Sequence, residues 1–284
     1  MNKLSERAIL VRVQECMNGV FNFDNKARDY FAKSTNAEKE AFSVTKRKWP
    51  ELALKGMRKE ISSMRNLHRK MTLPWNDVGY RLLPNDKFFE FTSETVAIKD
   101  RFYAERALFK MNFDEYVTMG IHNQGDFADP GAYPKTSDEV DNLFDLNVLL
   151  RPCPDSDDIR VDLPEDMLED LKISINKQIE EDVYLAIKEL WLRFYKSINH
   201  MVSRLNTGDP KHFHASLLDN IEDIIKIIPS YNLNNDKDLE ESRKEIEEVI
   251  SKIKSIDDLK DDERLRRNTV DQLSKLMNKF PEVE

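Results

Sequence analysis

Residues 165 to 206 contain neither glycine nor proline, with Pro164 before them and Gly208 after, so the spacing predicts one very long helix. Within it Ile187, Leu190, Phe194, Ile198, Met201 and Leu205 recur at three- and four-residue steps. That heptad-like seam needs a partner, because an amphipathic helix draws most of its stability from packing rather than propensity. Asp209-Pro210 has the N-cap and N1 order of a second helix through Leu217, Ile221, Ile224 and Ile228 to Pro229, which suggests an antiparallel pair.

The rest of the chain repeats this economy of turns, with 7 Gly and 11 Pro in 284 residues. Leu54, Met57, Ile61, Met64, His68 and Met71 trace an amphipathic helix from Pro50. Phe91, Ile98, Phe102, Phe109, Phe113 and Tyr116 mark another across 86–122, and GDFADPGAYP ends it. Residues 8–14, AILVRVQ, read as a strand, with helix as the alternative. Thr136 and Glu139 resemble a capping box for a short helix, Phe144 to Leu150 alternate as a strand, and Ile159–Asp162 could return as its hairpin partner after PDSDD. From Asp236 onwards Leu239, Ile246, Ile250 and Ile253, then Leu265, Leu273 and Leu276, stand at coiled-coil spacing among Glu and Lys. The expected fold is mainly α: long antiparallel helices and coiled-coil-like hairpins with a small antiparallel β-sheet, α+β at the margin. Residues 1–232 would form the body and 233–284 an acidic helical hairpin promoting self-association.

Charge is uneven. The net charge is −9, yet residues 1–82 carry 17 Lys/Arg against 9 Asp/Glu. At 100 degrees per residue Lys55, Arg58, Lys59, Arg65, Arg69 and Lys70 share one arc of the Pro50 helix, preceded by Lys46, Arg47 and Lys48. Such an arc can grip phosphates without reading sequence, or can be a solvated face paired with the acidic tail. Between two prolines, LPWNDVGYRLLP offers Trp75, Asp77, Tyr80 and Arg81 as a loop site; the same residues would equally make a capped connection anchored to the core.

Other chemistry is sparse. His212 and His214 would lie about 200 degrees apart on a helix, a poor metal pair. The PDSDD turn lacks the glycine and distant glutamate of a calcium loop. No nucleotide-binding, hydrolase or zinc-protease motif occurs, and no cofactor is expected. Cys16 and Cys153 stand alone and are expected to be reduced thiols. Without a signal peptide pattern or an 18-residue apolar run, the expectation is a cytoplasmic protein without a membrane partner.

The order of landmarks, ILVRV ending near Gly19, a basic helix into GYRLLP, a Phe-rich helix, NVLLRPCPDSDDIRVDLPED and ELWLRFYKSINHMVSRL, resembles a phage and bacterial family of unknown function. Genes of that family often neighbour MoxR- or CobS-like AAA+ ATPases, and the similarity covers roughly residues 8 to 250. The family assigns no catalytic residues; Arg81 and Arg160 sit in two landmark loops without an established role. The resemblance and the apolar seams together imply a non-enzymatic helical adaptor or assembly protein of a phage-type system, partnered by an AAA+ ATPase, self-associating, and working in the host cytoplasm if phage-encoded. The alternative is a sequence-independent nucleic-acid-binding protein using helix 50–71.

Overall fold

The alternating 8–14 stretch is strand, β1 (Ala8–Met17), with Ala8, Leu10 and Val11 buried. After the turn at Gly19, whose φ of +66° suits a residue without Cβ, come β2 (Phe21–Phe23), helix α1 (Asn25–Thr35) and β3 (Thr45–Arg47). Helix α2 (Glu51–Met71) follows Pro50 as its periodicity predicts, and β4 (Leu73–Pro74) pairs antiparallel with β5 (Tyr80–Pro84). The computed structural model describes residues 4–75, 79–159, 161, 163–207, 209, 211 and 213–281.

The expected helix over 86–122 is two helices, α3 (Phe88–Met111) and α4 (Phe113–Gln124). Asn112 separates them at φ −103° and ψ 18°, while its amide side chain donates to Leu108 O at 2.8 Å. A short polar side chain that bonds a carbonyl four residues back loosens a helix there. The capping box at Thr136 is absent: Thr136 makes no side-chain cap, and Glu139 Oε1 instead accepts from Lys135 N, before a 3-10 turn over Ser137–Asn142.

Strand β6 (Phe144–Pro152) completes a four-stranded sheet in the order β4-β5-β1-β6, and β2 and β3 make a second, two-stranded sheet. The hairpin expected after PDSDD does not form among the described residues: Ile159 and Val161 are not strand, and Arg160 and Asp162 lie outside the description. Asp155 prevents a tight return by accepting from Asp157 N and from Ser5 Oγ, which fixes a 3-10 turn over Ser156–Asp158.

Helix α5 (Glu165–Asn206) has the bounds read from the sequence. It packs against α6 (Ser216–Tyr231), which starts later than Asp209-Pro210 suggested; Asp209 Oδ1 accepts from Lys211 N in a local turn, and Gly208, Pro210 and His212 lie outside the description. The tail forms α7 (Lys237–Ile250), α8 (Ile256–Asp261) and α9 (Glu263–Met277). The protein is therefore mainly helical with a small antiparallel sheet. Among the described residues no helix is long and apolar enough to cross a membrane.

Two compact units divide the chain. One comprises residues 1–11, 71–88 and 150–284, and its core is the predicted α5 and α6 seams closed by Leu239, Ile246, Ile250 and Leu273 of the tail. The tail therefore belongs to this unit. The other comprises residues 12–70 and 89–149, with Leu54, Met57, Ile61 and Met64 of α2 against Ile98, Phe102 and Phe109 of α3. Trp49 meets Phe109 and Tyr133 edge-on in the same core, at 5.0 and 5.2 Å between centroids.

Candidate functional site

In the 12–70/89–149 unit, β2 and β3 put apolar rings at the surface. Register sets Phe21 opposite Arg47 and Phe23 opposite Thr45, and the two-residue period turns both phenyls to one face. Both are about half exposed, at 52% and 49%, as are Tyr30 (61%) and Phe31 (46%) on α1. Phe127 lies beside Tyr30, with centroids 6.4 Å apart. Guanidiniums cover two of these rings, Arg47 over Phe21 at 5.9 Å and Arg28 over Phe23 at 5.2 Å.

Asp24 organises this surface. Its carboxylate caps α1 by accepting from Ala27 N at 3.0 Å and pairs with Lys46 at 3.2 Å. Burial pushes its carboxyl up, but the Ala27 amide and the Lys46 ammonium outweigh that and hold it below the usual aspartate range. Lys46 also donates to Phe127 O, which ties β3 to the turn after α4.

Beside the rings lies a cleft of about 470 Å³ between α1, the β3–α2 connection and the end of α4. Phe31, Lys46, Lys48, Trp49, Gln124 and Phe127 are among its walls. Lys48 is only 6% exposed and its ammonium lies 5.6 and 5.2 Å from the ring centroids of Trp49 and Tyr133. Burial lowers its pKa, and the more distant Asp129 carboxylate offsets part of that. Tyr133 Oη donates to Lys48 O at 2.7 Å, and Gln124 Nε2 donates to Arg47 O and Tyr133 Oη, so the wall is stiffly held.

The predicted basic residues are thus not equivalent. In the Lys46-Arg47-Lys48 run, Lys46 is paired, Lys48 is buried, and Arg47 is exposed but pairs with Glu51. On α2 the arc does face away from the core. Arg65 is nevertheless bound bidentately by Glu15, Arg58 lies 3.9 Å from the same Glu51, and Lys59 is 4.0 Å from Glu60. Lys55, Arg69 and Lys70 are exposed. Carboxylates within the unit, rather than the acidic tail, supply the pairing for Arg58, Lys59 and Arg65.

The PWNDVGYR loop joins β4 to β5. Tyr80 is buried beneath the Arg151 guanidinium at 4.7 Å, and Arg81 donates to Thr72 Oγ1 at 2.7 Å and to Thr72 O at 3.2 Å. Arg193 of α5 donates to the same carbonyl at 2.9 Å. Trp75 is half-buried and Gly79 takes φ +80°, while Asp77 lies outside the described residues. Thr72, Arg151 and Arg193 thus hold Tyr80 and Arg81 in place on β5. Sequence reasoning passed over Phe21, Phe23, Tyr30, Phe31, Trp49 and Gln124, because the elements that gather them are short and their rings follow no long period. No family model matches this chain, no curated protein matches its sequence, and no solved structure matches its fold.

Proposed function

We propose that this chain is a non-catalytic adaptor that docks a protein partner on the aromatic face made by Phe21, Phe23, Tyr30, Phe31 and Phe127. The observation that carries the reading is the exposure of these rings next to Arg28 and Arg47. Tyrosine, phenylalanine and arginine are enriched at protein interfaces, and a few such anchors supply most of the binding energy. The resemblance names the partner to try, an AAA+ ATPase of the MoxR/CobS type in a phage-type system working in the host cytoplasm. Calorimetry of the purified ATPase with this chain is expected to show saturable binding. A Phe21→Ser/Tyr30→Ser variant should weaken it about tenfold or more. No heat of binding and no co-purification would remove the ATPase from the proposal; binding unchanged by the variant would remove the aromatic face.

A second reading, sequence-independent nucleic-acid binding, is favoured by the exposed Lys55, Arg69 and Lys70 and by rings on which bases can stack. The pairing of Arg58, Lys59 and Arg65 with carboxylates counts against it. Anisotropy with single-stranded and duplex oligonucleotides at two salt concentrations decides. Binding that falls steeply with salt and is lost on reversing Lys55 and Arg69 to Glu would support it, and absence of binding at low salt would end it.

A further inference from the structure

We propose that the amino-terminal half of α5 is a docking strip for a basic amphipathic helix of another protein, which lays its apolar face on Leu168, Leu171, Ile175 and Ile179 and its lysines or arginines along Glu165, Glu169 and Glu180. The strip belongs to the unit that carries the tail, so the inference goes beyond the aromatic face of the other unit and stands without it.

Helix α5 is covered along only part of its length. From Ala186 to Leu205 its seam is buried, with α6 and α9 packed against the helix. None of residues 165–181 is buried, although six of them are large aliphatic side chains. Met167 and Ile173 are each 58% exposed, and Leu168, Leu171, Ile175 and Ile179 are half-buried. At 100 degrees per residue those last four share an arc of about 80 degrees, in line with Ala186 of the buried seam. An amphipathic helix is held mainly by what covers its apolar stripe, and about 25 Å of this one has its stripe only half covered.

Charge beside the stripe selects the partner. Residues 165–181 carry six carboxylates and two lysines. Lys177 lies 3.9 Å from Glu181. Glu165, Glu169 and Glu180 follow Ile179 on one flank, about 40 to 100 degrees further round, and all three are exposed. None of them has a cation within ion-pair distance among the described residues, and Lys172 is the single cation on that flank. A helix with a basic edge gains from this flank, whereas an acidic helix, a second copy of the same strip included, is repelled by it. Ile175 and Ile179 also line a groove of about 460 Å³ that Trp75, Pro152 and Pro154 help to wall, which gives the partner apolar surface on its other side. Arg151 in the same groove sits over the Tyr80 ring at 4.7 Å, so the partner's second edge is uncharged or acidic.

The test is fluorescence anisotropy of labelled helical peptides of about 18 residues titrated with the full chain. One peptide carries leucine along one face, lysine along one flank and glutamine elsewhere; the other has glutamate in place of the lysines. Saturable binding of the lysine peptide, with the glutamate peptide at least about tenfold weaker, is the expected result. Leu171→Ser/Ile175→Ser should weaken binding about tenfold. Because the whole chain is acidic, the decisive variant is Glu169→Lys/Glu180→Lys, which changes only exposed side chains and should reverse the preference between the two peptides. The Phe21→Ser/Tyr30→Ser variant should bind the lysine peptide like the wild type, which separates this strip from the aromatic face. The proposal is overturned if neither peptide binds at about 100 µM, if the two bind alike, if the charge-reversed chain keeps the wild-type preference, if the Leu171/Ile175 variant binds undiminished, or if loss of Phe21 and Tyr30 abolishes binding.

Discussion

Gly120 shows how far one residue's size can govern a wall of the molecule. A Cβ at this position would come within 2.5 Å of both Lys48 O and Tyr133 Oη, which are themselves joined by a 2.7 Å hydrogen bond. Gly120→Ala must separate them, and overpacking of this kind is expected to lower stability by about 1–3 kcal/mol. A denaturant midpoint equal to that of the wild type would show that the helix can retreat at no cost. Cysteine chemistry is set in the same local way. Cys153 is buried and donates to Ala8 O at 3.2 Å, and burial pushes its thiol up to about 12, whereas Cys16 is only half-buried. Since the thiolate is the reactive form, disulfide reagents at pH 8 are expected to modify Cys153 only after denaturation. Rapid modification of Cys153 in the native chain, located by peptide mapping, would contradict the burial.

Long elements were legible because periodicity accumulates over many turns. Each seam residue named in α5, from Ile187 to Leu205, is buried, and so are Leu54, Met57, Ile61 and Met64 of α2. Short elements gave no such average. Strands β2 and β3 have three residues each, and the ring cluster they present depends on a pairing between residues 21–23 and 45–47 that no local pattern encodes. Local polar competition misled as well: Asn112 divides one Phe-rich stripe into α3 and α4 without glycine or proline. The capping box likewise occurs elsewhere, at Ser255, whose hydroxyl accepts from Asp258 N while the Asp258 carboxylate accepts from Ser255 N at 3.0 Å. Asp serves there where the usual pattern has Glu. Ser255→Ala should cost about 0.5–2 kcal/mol, read from chemical denaturation, and a smaller loss than that range would mean that Leu259 packing alone holds α8.

At the scale of the whole chain, the charged tail raised the question of what its apolar seams are for. Self-association would require those seams to be free. Instead Leu239, Ile246, Ile250, Leu259 and Leu273 are buried, with α7 against α6 and α9, and α9 against α5. Phe280 stacks on Phe194 at 5.3 Å and meets Trp191 at 4.9 Å, while the Trp191 indole donates to Asp236 at 3.1 Å. Arg7 reaches back from the N-terminus to Leu233 O at 2.7 Å and Asn232 O at 3.2 Å, so the start of the tail is also tied by hydrogen bonds. Five buried aliphatic side chains at about 1.5–3 kcal/mol each represent a contribution comparable to the net stability of a typical domain. A chain ending at Tyr231 is therefore expected to lose cooperative unfolding or to aggregate through the uncovered faces of α5 and α6, with exposed apolar surface detectable by dye binding. The measurements are light scattering and thermal melting of the full and shortened chains side by side. A shortened chain that stays monomeric and melts at the same temperature would show that the tail is dispensable to the fold, and self-association through residues 233–284 would then be the better use for its seams.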